Sequence, residues 1–280
     1  MERYRLSAFA DEASPFLSGQ TKALLRNDIG LLEIRGVDGA NIADITSEKA
    51  KEIRAVLDGA GVRVWSVGSP FGKIGIREPF GSHLEKFKKM LDTADILGCK
   101  RIRIFSFYVD GDRSEAVFDE VCKRLQRFLD EASPRGFILC HENEKGIFGE
   151  KACDCLMIHE RLPGLKAVFD PANFVQASED TLKAMEMLAP YVDYMHIKDA
   201  KYKGEVVPAG LGDGHIPELL KTFTKGVLTV EPHLKVFDGL AKLERSGERS
   251  AVGHSYSSSD EAFDAAVRAI KEIIRKEEIQ

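Results

Sequence analysis

The feature that most constrains this chain is an alternation. Eight short apolar, β-branched runs are separated by longer segments of helical period: Arg5 to Phe9, Leu31 to Arg35, Val62 to Val67, Arg101 to Ser106, Phe137 to Glu142, Lys166 to Asp170, Val192 to Ile197 and Val227 to Glu231. Runs this short and this apolar need cover on both faces, which is the pattern of βα units wrapped on a parallel sheet. Helix signals fall between them. Ser82-x-x-Glu85 and Ser258-x-x-Glu261 read as capping boxes, Ser14 precedes Pro15 at an expected first turn, and Gly61 and Gly98 stand where helices should stop. Eight such units in 280 residues predict one (β/α)8 barrel domain spanning residues 1–280. An open doubly wound sheet would carry a glycine-rich phosphate turn after its first strand, and here that turn reads Phe9-Ala10-Asp11-Glu12.

Composition narrows the partners. With 40 Lys and Arg against 45 Asp and Glu, the formal charge of −5 is too near balance for a nucleic-acid surface, so a small-molecule partner is expected. No apolar run approaches the roughly 18 residues a membrane span needs, and MERYRLSAFADE lacks the apolar core of a signal peptide, so the expected location is cytoplasmic. Five cysteines, an odd number spread over a long chain, suit reduced thiols. Cys153 and Cys155 lie two apart in a helical segment and point away from each other, which disfavours a shared metal. The least regular stretch, Glu244 to Ser257, reads as a long loop, a lid or a subunit contact.

In a barrel of this kind, reactive groups come from the C-terminal ends of the strands. The fifth to eighth runs end Cys-His-Glu-Asn (140–143), Phe-Asp-Pro-Ala-Asn (169–173), Met-His-Ile-Lys-Asp (195–199) and Val-Glu-Pro-His (230–233). They offer Glu142, Asp170, His196 and Glu231, separated by 28, 26 and 35 residues, each about one βα unit. Three carboxylates and one imidazole make an oxygen-rich site for a divalent ion, Mn²⁺ or Mg²⁺ first, with Zn²⁺ or Co²⁺ as alternatives. A single Asp before Pro is also ordinary helix-capping material, and Asp170-Pro171 fits that role. Glu142 and Glu231 are harder to explain as caps, since a Glu ending an apolar strand is expensive to bury unpaired.

Strand alternation turns His141 away from Glu142 toward the helices and places Cys140 one layer below it, so the two do not form a nucleophile pair. His233 follows the eighth strand and is a candidate lining residue. Arg35 ends the second strand, where a guanidinium forks onto a substrate anion or hydroxyl pair, a structural ion pair with Glu33 being the other reading. Trp65, near the end of the third, is read either as an apolar wall for a sugar or as packing. Asn173 and Lys198 are candidate substrate contacts. Lys198 shares the parity of His196, and a surface pair with Asp199 is its alternative.

Taken together, HENE (141–144), FDPANF (169–174), HIKDA (196–200) and TVEPHL (229–234), with LEIR (32–35), SPFGKI (69–74) and RIFSFY (103–108), resemble the sugar phosphate isomerases and epimerases of the xylose isomerase-like TIM barrel superfamily. That group includes ketose 3-epimerases, inosose dehydratases and hydroxypyruvate isomerases, and the resemblance covers nearly the whole chain. It implies that Glu142, Asp170, His196 and Glu231 bind one divalent metal, Mn²⁺ first, and that the two glutamates face opposite sides of the substrate as acid and base. It also implies a homo-oligomer. The sequence departs from the ketose 3-epimerases at Asn173, where they carry histidine. The abasic-site endonuclease branch needs a richer histidine and carboxylate set than is found here.

The chemistry so implied has a physical rationale. A proton next to a carbonyl is too weakly acidic to leave at neutral pH unless the resulting enediolate is stabilised, which a chelating metal does. Returning the proton to the opposite face gives epimerisation, and returning it to the neighbouring carbon gives aldose–ketose isomerisation. Loss of a β-hydroxyl would make the protein a carbohydrate dehydratase, the alternative reading. A third is a barrel that binds a sugar without turning it over.

Overall fold

The computed structural model describes residues 3–236, 251–252 and 255–279. Most of the Glu244 to Ser257 loop, including His254, lies outside the described residues. Eight strands form a closed parallel barrel: β1 (Tyr4–Ala8), β2 (Leu31–Ile34), β3 (Arg63–Gly68), β4 (Arg101–Ile104), β5 (Ile138–Glu142), β6 (Lys166–Phe169), β7 (Val192–Ile197) and β8 (Gly226–Val230). Each pairs with its sequence neighbours, and β1 closes the ring on β8 through Tyr4↔Gly226 to Ala8↔Val230. Every strand falls on one of the eight predicted runs, with ends shifted by at most two residues.

The helices outside are α1 (Leu17–Arg26), α2 (Ser47–Gly59), α3 (Gly81–Ile96), α4 (Glu115–Ala132), α5 (Ala152–Arg161), α6 (Pro171–Gln176), α7 (Thr181–Leu188), α8 (Ile216–Thr222) and α9 (Ser259–Ile279). Their buried faces meet outward strand residues in one large core, in which Val67, Ile102, Ile104 and Leu139 pack with Phe87, Leu91, Leu125 and Ile158. Fully burying a side chain of this size is worth about 1.5–3 kcal/mol. Gly61 and Gly98 take φ of +71° and +68° just after α2 and α3, the left-handed conformation that ends a helix. Two predicted caps differ. The residue capping α3 is Phe80, so Ser82 is already helical, and α1 begins at Leu17 rather than beside Pro15. In the predicted box before α9, Ser258 Oγ accepts from Glu261 N at 3.1 Å.

The barrel interior is layered. At its lower end Leu31, Cys140, Val168, Tyr194 and Val227 form an apolar floor with Trp65 and Ile138 against it. Above the floor the interior turns polar, with Glu33, Ser66, Glu142, His196 and Thr229 all buried. His141 points outward as expected, its Nε2 2.9 Å from Ser106 Oγ. All five cysteines are free, with Cys153 exposed and Cys155 buried on opposite sides of α5.

The long β7–α8 connection is organised by Asp199. Its carboxylate, 1% exposed, accepts from the backbone N–H of Ala200, Gly210, Gly212 and Gly214 at 2.8–3.0 Å. A Cβ at Gly212 or Gly214 would run into that carboxylate. Asp199→Ala strands these amides and is expected to destabilise the fold by roughly 3 kcal/mol, read by urea denaturation. A change within about 0.5 kcal/mol would show that water replaces the carboxylate.

Candidate metal centre

The upper ends of four consecutive strands converge. Glu142 is the last residue of β5, Asp170 follows β6, His196 is the fifth residue of β7 and Glu231 follows β8. One ligand atom from each lies within 4.8 Å of the others, and all four residues are buried. His196 Nδ1 is 3.0 Å from Glu142 Oε1, 3.5 Å from Glu231 Oε2 and 4.0 Å from Asp170 Oδ2.

Asp170 caps a helix, as its place before Pro171 suggested, and also turns one oxygen to the cluster. Its Oδ1 caps α6 by accepting from Asn173 N at 2.9 Å, while Oδ2 faces the cluster. The neighbouring Asn143 fixes its backbone, donating to Asp170 O and accepting from Asp170 N, both at 2.9 Å. Asn173 donates from Nδ2 to Asn143 O at 2.9 Å and reaches Glu142 Oε1 at 3.4 Å.

The two glutamates are held alike. Arg103 Nη1 lies 3.0 Å from Glu142 Oε2, and Arg35 Nη1 lies 3.0 Å from Glu231 Oε1. The Phe9 ring takes Arg35 on its face at 4.3 Å and Arg103 at 5.7 Å. Burial pushes both carboxyls up, but His196 and Arg103 outweigh it at Glu142, and Lys198, His196 and Arg35 outweigh it at Glu231. Both stay ionised. Asp170 is different, because burial, opposed by Lys198 but reinforced by Glu231 and Glu142, lifts it to about 7. For His196, burial works against the charged ring, yet Glu142 and Glu33 push it up to about 10.

Lys198 is 8% exposed and does not pair with Asp199. Its Nζ sits 2.7 Å from Asp170 Oδ2 and 3.0 Å from Glu231 Oε2. His233, at φ +44°, donates its backbone N–H to Glu12 Oε2 at 2.6 Å, with Nδ1 3.2 Å from Glu12 Oε1 and 3.8 Å from Glu231 Oε1. Arg35 meets Asp11, Glu12 and Glu231, not Glu33, and its side chain is 3% exposed.

Trp65 is not at this mouth, which corrects its reading as a sugar-facing wall. The β2–β3 register shifts between Leu32 and Glu33, so that Leu32 pairs with Val64 but Glu33 with Ser66, and Trp65 is the extra residue. The bulge keeps the indole at the barrel base, edge-on to Tyr194 at 6.2 Å and beneath the Arg101 guanidinium at 4.0 Å. There it borders a cavity of about 350 Å³ with Arg5, Arg54 and Arg63.

The donor set suits a divalent cation. Glu142 Oε2 and Asp170 Oδ2 are buried and accept no hydrogen bond, meeting Arg103 and Lys198 only as ion pairs. Three carboxylates with one imidazole nitrogen make the hard, mainly oxygen environment of such an ion. The family model described as Xylose isomerase-like TIM barrel matches residues 31–246. The chain belongs to this family. As a xylose isomerase-like barrel it superposes on three solved structures over nearly full length. One is an IOLI protein with a bound zinc atom, at 16% identity and TM-score 0.74, covering 97% of this chain and 98% of that one. The second is an L-ribulose 3-epimerase, at 16% and 0.74, covering 100% and 98%. The third is the probable 3-DHS dehydratase AsbF of Bacillus anthracis, at 14% and 0.73, covering 96% and 99%. No curated protein matches by sequence. Among the described residues, no helix of this barrel is long and apolar enough to cross a membrane.

Proposed function

We propose that this protein is a divalent-metal-dependent isomerase or epimerase that moves a proton next to the carbonyl of a sugar, sugar phosphate or related polyol ketone. The observation that carries the reading is the pair Glu142 and Glu231. They enter from strands β5 and β8, lie within one 4.8 Å cluster, and each is backed by its own arginine. Glu142, Asp170, His196 and Glu231 would hold the ion, Mn²⁺ in first place. When bound, it supplies Lewis-acid stabilisation of the negative charge that develops on the substrate oxygens.

The remaining work belongs to side chains. Glu142 and Glu231, both held ionised, are bases at neutral pH; one takes the proton from carbon, and the other, after picking up a proton from solvent, delivers it to the carbon, while the first gives its own proton back to solvent. Arg103 and Arg35 fix the orientation of these carboxylates, so that Arg35 acts through Glu231. Lys198 and Asn173 bring N–H donors to the same cluster and are assigned to substrate oxygens, with His233 beside Glu231. The sugar 3-epimerase among the structural neighbours supports this reading.

The test is elemental analysis of the purified protein beside Glu142→Ala and Glu231→Ala, followed by a screen of ketoses in heavy water. Near-stoichiometric metal lost in both variants, with deuterium entering the carbon next to the carbonyl, is the expected result. A deoxy-keto product would replace this reaction by dehydration, and ligand binding without exchange would leave a sugar-binding barrel. A wild type that stays empty when supplied with Mn²⁺, Mg²⁺, Zn²⁺ or Co²⁺ would remove the metal centre.

A further inference from the structure

The metal reading accounts for the edge of His196 that faces the mouth. Its other edge is also occupied. His196 Nε2 lies 3.2 Å from Glu33 Oε2, Glu33 Oε1 accepts from Tyr194 OH at 2.7 Å, and that hydroxyl is 3.1 Å from Ser66 Oγ. All four residues are 0% exposed. Among the described residues no lysine or arginine pairs with Glu33, so this carboxylate is held inside the barrel by an imidazole and a phenol alone. Burying a carboxylate on such terms is expensive, and the polar chain has no exit to solvent that would explain it as surface chemistry.

The local fold shows how the chain of contacts is made. The register shift that sends Trp65 to the base also sets Ser66 opposite Glu33, and Tyr194 and His196, two apart on β7, both point inward. Phe9 and Tyr194 meet the imidazole edge-on at 5.1 and 5.6 Å and fix its plane. A neutral imidazole carries one N–H. With an acceptor at Nε2 and three carboxylates around Nδ1, the arrangement that satisfies every group at a bound cation puts the proton on Nε2.

We propose that Glu33 is a positioning residue for the metal centre, fixing His196 with Nε2–H toward the barrel interior and the Nδ1 lone pair toward Glu142, Asp170 and Glu231, while Tyr194 and Ser66 hold Glu33 in place. Glu33 does not touch substrate. The inference rests on the four-ligand reading of the metal site and not on which reaction follows.

The test titrates Zn²⁺ by calorimetry into metal-stripped full-length wild type, Glu33→Gln, Glu33→Ala and Tyr194→Phe, and reads the ring nitrogens of His196 by ¹⁵N NMR in the zinc-loaded proteins. Wild type is expected to show a protonated Nε2 and a metal-bound Nδ1. Glu33→Ala is expected to bind Zn²⁺ about 10–100-fold more weakly. Glu33→Gln, whose amide oxygen still accepts from Nε2–H, keeps the tautomer and loses less affinity, and Tyr194→Phe loses least. Wild-type affinity in both Glu33 variants, or a wild-type ring bound through Nε2, overturns the proposal. If Glu33→Ala does not fold, unchanged affinity in Glu33→Gln and Tyr194→Phe together overturns it. A wild type that binds no Zn²⁺ overturns it along with the metal site. Glu33-dependent zinc binding without exchange in any ketose supports it and overturns the reaction reading alone.

Discussion

Glu142→Gln and Glu231→Gln, each assayed at saturating metal, are expected to lower kcat by about 10²–10⁴-fold, the range for losing a positioned acid or base. The two variants should differ in what they leave behind. If the enzyme epimerises, each glutamate serves one face of the carbon, so each variant still exchanges deuterium into the epimer whose proton faces the surviving carboxylate. Aldose–ketose isomerisation by a single base predicts instead that one variant loses all exchange and the other keeps most of it. Deuterium incorporation followed by NMR for both epimers separates the cases. Wild-type turnover in either variant would remove that glutamate from the chemistry.

Metal affinity should rise steeply with pH. Without metal, Glu142 and Glu33 hold a proton on His196 up to about 10 against the pull of burial, and Asp170, raised chiefly by burial, holds one up to about 7. A cation needs both ligands deprotonated, so binding releases the protons still present. Between pH 7 and 8.5 one proton leaves, and Kd is expected to fall about tenfold per pH unit; below pH 7 a second leaves, and the slope approaches a hundredfold. Calorimetry in two buffers of different ionisation enthalpy counts these protons directly. Where metal stands at 100 times its Kd, it should add about 2.7 kcal/mol of stability, so a chelator should lower Tm more at pH 8 than at pH 6. An affinity independent of pH would mean that His196 is already neutral in the metal-free protein.

The strands and the convergence of Glu142, Asp170, His196 and Glu231 were legible in the sequence because both follow from periodicity. A strand of parity two that ends in Glu142 or carries His196 near its end must offer that side chain to the mouth, and spacing by one βα unit repeats the placement around the ring. Asp170 was legible as a helix cap, a role its Oδ1 fills, while its Oδ2 turns to the cluster. What closure brings together was not legible. Glu33 on β2 and His196 on β7 are 163 residues apart, and only a completed ring sets one under the other, whereas Arg103 reaches Glu142 from the adjacent strand β4. Glu12 stands in the Phe9-Ala10-Asp11-Glu12 turn, but nothing local to that turn announces that its acid will meet Arg35 and His233, which arrive from the end of β2 and from beyond β8. For Trp65 the sequence left a sugar-facing wall and a packing role both open, and the structure has it packing, because a single bulged residue breaks the parity rule that holds elsewhere.

That bulge also decides what light can report about this protein. The chain has one tryptophan, and its indole lies on the barrel floor between arginines, edge-on to Tyr194 and at the far end from the metal cluster. Its intrinsic fluorescence is therefore a gauge of the floor. Emission should follow melting of the barrel while staying silent to a sugar arriving at the mouth, which gives unfolding and ligand binding separate optical channels in the same cuvette.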